Sequence, residues 1–359
     1  MPFEVRDRDT ELYRRRLAGF LPARMIDVHT HVWVKAFAGA SAPAPHVSSW
    51  PDRVADENPI DDLLRTYGLL FPEKTVTPVI FGFPRRAVSP DPSNDYVADA
   101  ARLHGLPALM LSIPEWSGEE VERRVEAGGF FGLKPYLSYA PYHLAADQVT
   151  IYDFLPHCHL EAADRHGWLV MLHIPRSARL KDAANLQHLL EIGRRYPRAQ
   201  VIVAHIGRAY CPEDVGSAFD VLRDTEHLLF DISANTNAWV MERLIRSVGP
   251  GRILFGSDLP ILRMRMRRIC ENGRYVNLVP PGLYGDISGD VHMREVSPEQ
   301  AASLSFFMYE ELLAFRRAAE ATGLTQTDLD GVFFDNAATI IARAGAGRPA
   351  GSRGAPWTC

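Results

Sequence analysis

The chain has 359 residues, 47% of them hydrophobic and 23% charged, with a net charge of −5 and the signs mixed. That composition suits a globular protein with a large core. It excludes a general basic footprint for nucleic acid, and no apolar run approaches the roughly 20 residues of a membrane helix.

Residues 1–23 are charged throughout and read as an N-terminal helical extension without a signal-peptide core. The barrel unit expected next spans 24–343. Its first strand is "RMIDVH" (24–29), and the run continues to His31. Alternate strand residues share a face, so His29 and His31 point the same way. Residues 35–74 hold a Pro/Ala/Ser-rich loop and a short helix near "IDDLLRTYGLL". Seven more β-rich runs follow: "TVTPVIFGF" (75–83), "LPALMLSI" (106–113), "FFGLKPYL" (130–137), "GWLVMLHI" (167–174), "AQVIVAHI" (199–206), "HLLFDIS" (227–233) and "RILFGSD" (252–258). Several are apolar for four or more residues, as strands buried on both faces are.

The segments between them have helical patterns. "SGEEVERRVEAGG" opens with Ser117 and Glu120 in capping-box spacing and ends at glycine. Eight strands alternating with helices predict an α/β chain, a (β/α)8 TIM-like barrel in one domain. No GxGxxG turn follows a strand, which removes the usual dinucleotide signature. Residues 259–297 read as a long irregular insertion after strand eight, and its "RMRMRR" (263–268) as an exposed basic segment. Two helices are expected near 298–322 and 335–343, then a disordered Gly/Pro/Ala-rich tail at 344–359. The four cysteines, Cys158, Cys211, Cys270 and Cys359, form no CxxC. Reduced thiols in a cytoplasmic protein are expected, not a disulfide framework.

In such a barrel the site lies where the strands end. His29 and His31 end strand one, Lys134 lies on strand four, His173 and His205 end strands five and six, and Asp258 ends strand eight. Any one of them alone reads more readily as a hydrogen-bonded polar residue than as a ligand. Together, in phase around one barrel, they suit a divalent transition metal, with imidazole and carboxylate as zinc ligands. Such a metal activates water and polarises a carbonyl.

The motifs "DVHTH", "GLKPY", "VMLHI", "IVAHIGR" and "ILFGSDLP" resemble the strand ends of the amidohydrolase superfamily. They are most similar to its amidohydrolase-related branch, which includes pyrone-dicarboxylate lactonase and the aminocarboxymuconate-semialdehyde and resorcylate decarboxylases. The resemblance spans roughly residues 24–343, judged from motif order and strand spacing. It implies that His29, His31, His173 and Asp258 bind metal, one or two ions with zinc expected. It also implies that Asp258 shuttles a proton, and that His205 is either a ligand of a second metal or an acid/base. Lys134 occupies the place of a carbamylated bridging lysine, or of an unmodified lysine that contacts substrate.

Arg176 and Arg208 follow two of the motifs and either bind an anionic substrate or pair with rim carboxylates. Tyr136, Tyr139 and Trp33 are further substrate-contact candidates, or packing residues. The expectation is a metal-dependent hydrolase of an ester, lactone or amide, with a non-oxidative decarboxylase as the alternative. The expected partner is a small-molecule substrate, with no nucleic acid or membrane, in a homo-oligomer.

Overall fold

The structure is a computed structural model that describes residues 4–37, 53–84 and 89–346. The Pro/Ala/Ser-rich loop and the C-terminal tail fall largely outside these residues. Eight parallel strands form the barrel: β1 (Arg24–His31), β2 (Thr75–Phe81), β3 (Met110–Ser112), β4 (Gly132–Pro135), β5 (Leu169–Leu172), β6 (Gln200–Val203), β7 (Leu228–Asp231) and β8 (Ile253–Leu254). β1 pairs with β2, and β3 to β8 form a continuous ladder in chain order. Backbone hydrogen bonds close both seams. The Ile80 amide donates to Pro107 at 3.0 Å and the Leu109 amide to Ile80 at 2.9 Å. Across the other seam, the Val28 amide donates to Phe255 at 3.0 Å, Asp258 to His29 at 2.8 Å and His31 to Leu259 at 2.9 Å.

Two apolar layers result from the strand alternation. Ile26, Val28, Val79, Phe81, Leu169 and Ile202 fill the barrel, and Ile340, Ile341 and Ala344 of the terminal helix Asn336–Ala346 plug its N-terminal end. A much larger set of residues packs the outer strand faces against the helices. The lumen is thus a core at one end, which leaves polar side chains for the other. β4 and β5 approach so closely at Gly132 that an added Cβ would lie 1.9 Å from the Leu169 carbonyl oxygen.

Ser117 caps its helix, its hydroxyl accepting from the Glu120 amide at 3.2 Å, and Gly129 ends it in the left-handed region. The Glu120 carboxylate does not return to the cap. It bonds Arg123 and Arg124 instead.

Four expectations are corrected. First, the insertion is not irregular: β9 (Arg267–Glu271) and β10 (Arg274–Val279) form an antiparallel hairpin, with β11 (Met293–Glu295) parallel to β10. Second, the "RMRMRR" stretch is largely interior. Met264 and Met266 join the core, Arg265 makes a two-pronged bond to buried Asp9 at 3.0 and 2.6 Å, and Arg268 is buried. Arg267 is the exposed member, beside Glu310. Alternating Met and Arg on an extended segment gave a charged pattern, but both faces are covered. Third, Cys211 and Cys270 form a disulfide, because the loop after β6 packs against β9 and brings their Cα atoms to 5.9 Å. Cys158 is a free thiol, and Cys359 lies outside the described residues.

The expected helix near 298–322 is also broken. A turn at Pro298–Ala301 ends before Phe307–Thr322, since the residues between pair with the post-β8 segment. The Met266 amide donates to Ser305 at 3.0 Å and the Phe307 amide to Met264 at 2.7 Å. No helix among the described residues is long and apolar enough to cross a membrane.

Candidate metal centre

Strict alternation along β1 would place Asp27 on the same face as His29 and His31. It does not, because the β1–β2 register shifts between Asp27 and Thr30. Asp27 holds the irregularity. Its Oδ1 accepts from the His29 amide at 3.1 Å and the Ser257 amide at 2.9 Å, and its Oδ2 accepts from the Tyr67 hydroxyl at 2.7 Å. Every donor is neutral, and burial pushes the carboxyl up to about 7.

Beyond the bulge, His29 and His31 enter the lumen. The structure brings all six expected centre residues together there. Asp258 Oδ1 lies 3.4 Å from His31 Nε2 and 3.6 Å from His29 Nε2. Lys134 Nζ lies 3.3 Å from His29 Nε2 and 3.2 Å from His173 Nδ1. His173 Nε2 is 2.8 Å from His205 Nε2. Two ligand triads result, His29/His173/His205 and His29/His31/Asp258, which share His29.

The outer bonds fix which nitrogen faces inward. His29 Nδ1 donates to Asp231 Oδ2 at 2.9 Å, His31 Nδ1 to the Gly82 carbonyl at 3.2 Å, and His205 Nδ1 to the Ser233 carbonyl at 3.1 Å. In each ring the Nε2 lone pair is left for the centre. Burial lowers the pKa of His29 to about 3 and depresses His31 and His173 as well, so all three are neutral at pH 7. Burial also pushes Lys134 down to about 7, against the pull of Asp231 and Asp258. Burial opposes the Asp258 charge, but the carboxyl sits among His31, His205 and His29 and stays at about 2, ionised at pH 7. Neutral imidazoles with inward lone pairs beside an ionised carboxylate fit a divalent ion.

Asp231 and Ser233 are the residues sequence reasoning missed. Asp231 is fully buried at the end of β7. Besides His29 it accepts from the His205 amide at 2.8 Å, the Ser233 amide at 3.0 Å and the Ser233 hydroxyl. Burial works against its charge, yet His29 and these bonds hold the carboxyl well below the usual range. The signal was an acid at the end of "LLFD", in phase with the other strand ends.

The backbone here is unusual. His205, Ile206, Gly207 and Arg208 have φ of 55°, 52°, 60° and 61°, a left-handed turn that costs energy at each non-glycine residue. At Gly207 an added Cβ would also lie 2.5 Å from Leu180. This turn swings His205 inward and Arg208 towards the rim.

The substrate-contact candidates separate. Tyr136 stands beside the centre, its ring 5.1 Å from His173 and 6.2 Å from His31. Arg208 is half-buried, donating to the Ile174 and Arg176 carbonyls at 3.3 and 3.4 Å, with no carboxylate partner among the described residues. Arg176 instead lies 2.9 Å from Asp182. Trp33 is buried in a satellite cluster with Phe83, its indole N–H donating to Asp56 at 3.0 Å. Tyr139 is buried on the turn Leu137–Tyr139, beside a small hollow lined by Phe37, Phe83 and Leu111.

The amidohydrolase family model matches residues 26–341. The chain belongs to the amidohydrolase family. Its solved neighbours share the barrel at low identity. One is a candidate 2-pyrone-4,6-dicarboxylic acid hydrolase from Pseudomonas putida: 15% identity over 90% of this chain and 99% of that one, TM-score 0.50. A second is an amidohydrolase from Burkholderia multivorans with bound zinc: 14% identity, 89% and 99% covered, TM-score 0.50. A third is a dihydroxybenzoic acid decarboxylase from Polaromonas sp. JS666 with bound manganese and 2-nitroresorcinol: 13% identity, 89% and 97% covered, TM-score 0.50. No curated protein matches the sequence. This amidohydrolase is therefore a metal-dependent enzyme built on a TIM-like barrel.

Proposed function

We propose that this amidohydrolase cleaves an ester, lactone or amide bond of a small anionic molecule, with zinc as its metal. His29, His31, His173 and Asp258 would hold the ion, with His205 and Lys134 within reach of a second. When bound, the ion activates a water and polarises the scissile carbonyl. The observation that carries the reading is Asp258, an ionised carboxylate beside His31 whose side chain keeps 14% exposure. It accepts the proton of the attacking water and returns it to the leaving group. His205 presents a lone pair inward and serves there as ligand or base, not as hydrogen-bond donor, while its Nδ1–H donates to the Ser233 carbonyl. Tyr136 closes one wall, and Arg208 binds the substrate anion. We place the enzyme in the cytoplasm as a homo-oligomer.

A second reading rests on Lys134. Its amine sits between His29 and His173, and left unmodified it restricts the centre to one ion. A single ion with His205 as proton carrier suits a decarboxylase equally well. Carbamylated, Lys134 would help His29, His173 and His205 hold a second ion, which would favour hydrolysis. Turnover of a panel of lactones, esters and aromatic carboxylates in H2(18)O separates the two. Hydrolysis places one (18)O in the product carboxyl. Release of CO2 without (18)O uptake overturns the hydrolase reading.

A further inference from the structure

The Cys211–Cys270 disulfide joins two segments that the site uses differently. Cys211 follows Tyr210, whose ring packs 5.0 Å from that of Tyr275 on β10, in the loop that leaves β6 at His205. Cys270 lies on β9, two residues after Arg268 and exposed. The Arg268 guanidinium lies 4.5 Å from the Tyr210 ring, 4.6 Å from Tyr275 and 4.6 Å from Phe307. Its Nε donates to Asn277 Oδ1 at 2.8 Å, and its Nη1 donates to the Ala234 carbonyl, next to Ser233. The hairpin is thus a roof whose aromatic–guanidinium stack reaches the outer bonds of His205.

The roof is anchored unequally. Its near end is bonded firmly, through Arg265 to Asp9 and through Met264 and Met266 to the 305–307 segment. The far end, at Cys270, is tied to the β6 loop by the disulfide. That loop is also held by Asp214, which accepts from the Tyr210 amide at 3.1 Å, the Cys211 amide at 2.9 Å and Arg179 at 2.7 Å, and by Asn235 and Asn237, which donate to the Ala209 and Tyr210 carbonyls at 2.8 and 3.2 Å.

We propose that Cys211–Cys270 is a redox modification site at which a dithiol reductant opens the roof and weakens substrate binding. The reductant thiolate attacks the Sγ of Cys270, the residue of the pair that lies at the surface, and expels Cys211 as thiolate, which takes up a proton. The second thiol of the reductant then displaces Cys270 and closes its own disulfide. Two electrons and two protons pass to the protein, and the dithiol is oxidised. Reduction leaves the near end and the barrel intact, so Tyr210 and Arg268 lose alignment while the metal ligands do not move.

The inference rests on this barrel mouth being the substrate site, and its test is partly independent of turnover. The metal-loaded protein is treated with dithiothreitol, desalted under argon and checked for metal content. Alkylation in denaturant should count two thiols before treatment and four after. Peptide hydrogen exchange should rise in 209–214 and 267–279 and nowhere in β1 or β4–β8. KM should rise at least fivefold with kcat within twofold, and C211S/C270S should reproduce both effects and ignore the reductant. Four thiols before treatment, or two new thiols without faster exchange in either segment, would overturn the proposal. If no substrate is turned over, the thiol count and the exchange pattern still decide it.

Discussion

Asp231→Asn tests whether the buried bonds around the centre set its affinity for metal. The carboxylate accepts from His29 Nδ1, from the amides of His205 and Ser233, and from the Ser233 hydroxyl. Asparagine keeps the shape, but can offer His29 an NH2 group where an acceptor stood. The His29 ring then carries its proton on Nε2, facing the ion. His29 belongs to both ligand triads, so neither escapes the change. Loss of such an outer partner costs about 10- to 100-fold in metal affinity, or about 1.4–2.7 kcal/mol. Titration against a chromophoric chelator at pH 7 measures it, and nitrogen NMR of the imidazoles reports the tautomer directly. Affinity within twofold of the parent, with His29 still protonated on Nδ1, would refute the argument.

Asp27→Asn has a pH signature. Burial raises the folded Asp27 to about 7 from an ordinary 3.8. Between those values the unfolded chain has released a proton that the folded chain keeps, so this group makes stability fall as pH rises, by at most about 1.4 kcal/mol per unit. The amide variant lacks this slope. Urea unfolding from pH 4.5 to 7.5 should show the parent losing stability relative to D27N, and a pH-independent difference would contradict it. Arg208→Ala should raise KM for a carboxylate substrate at least tenfold with kcat little changed. Arg176→Ala, whose guanidinium already pairs with Asp182, should change KM less than threefold. Steady-state kinetics on both variants checks the contrast, and the reverse order would move the anion site to Arg176. His29→Ala should lose metal and turnover while circular dichroism shows the barrel folded, since the lumen core lies at the opposite end. Full activity in that variant would remove His29 from the centre.

The barrel was legible because its strands are buried on both faces and read as apolar runs, and the strand-end phase named six residues that the fold gathers at one end of the lumen. What escaped needed tertiary contacts. Asp231 looks like any acid at a strand end until its partners are seen. The bulge at Asp27 depends on Tyr67 and Ser257, distant in sequence. The post-β8 segment misled because alternating Met and Arg give a charged count, while Asp9 and the Tyr210–Tyr275 pair bury two of the arginines. Scattered cysteines carry no sign of pairing until the β6 loop meets β9.

Metal content per chain, measured by elemental mass spectrometry on protein purified without chelator or added metal, tests the central claim most directly. The account predicts at least one equivalent of a divalent transition metal in the parent and its loss in His29→Ala and Asp258→Ala. Two equivalents would support a carbamylated Lys134 and hydrolysis; one would favour the unmodified lysine. A parent that turns over substrate while holding no metal, before and after reconstitution, would contradict the account.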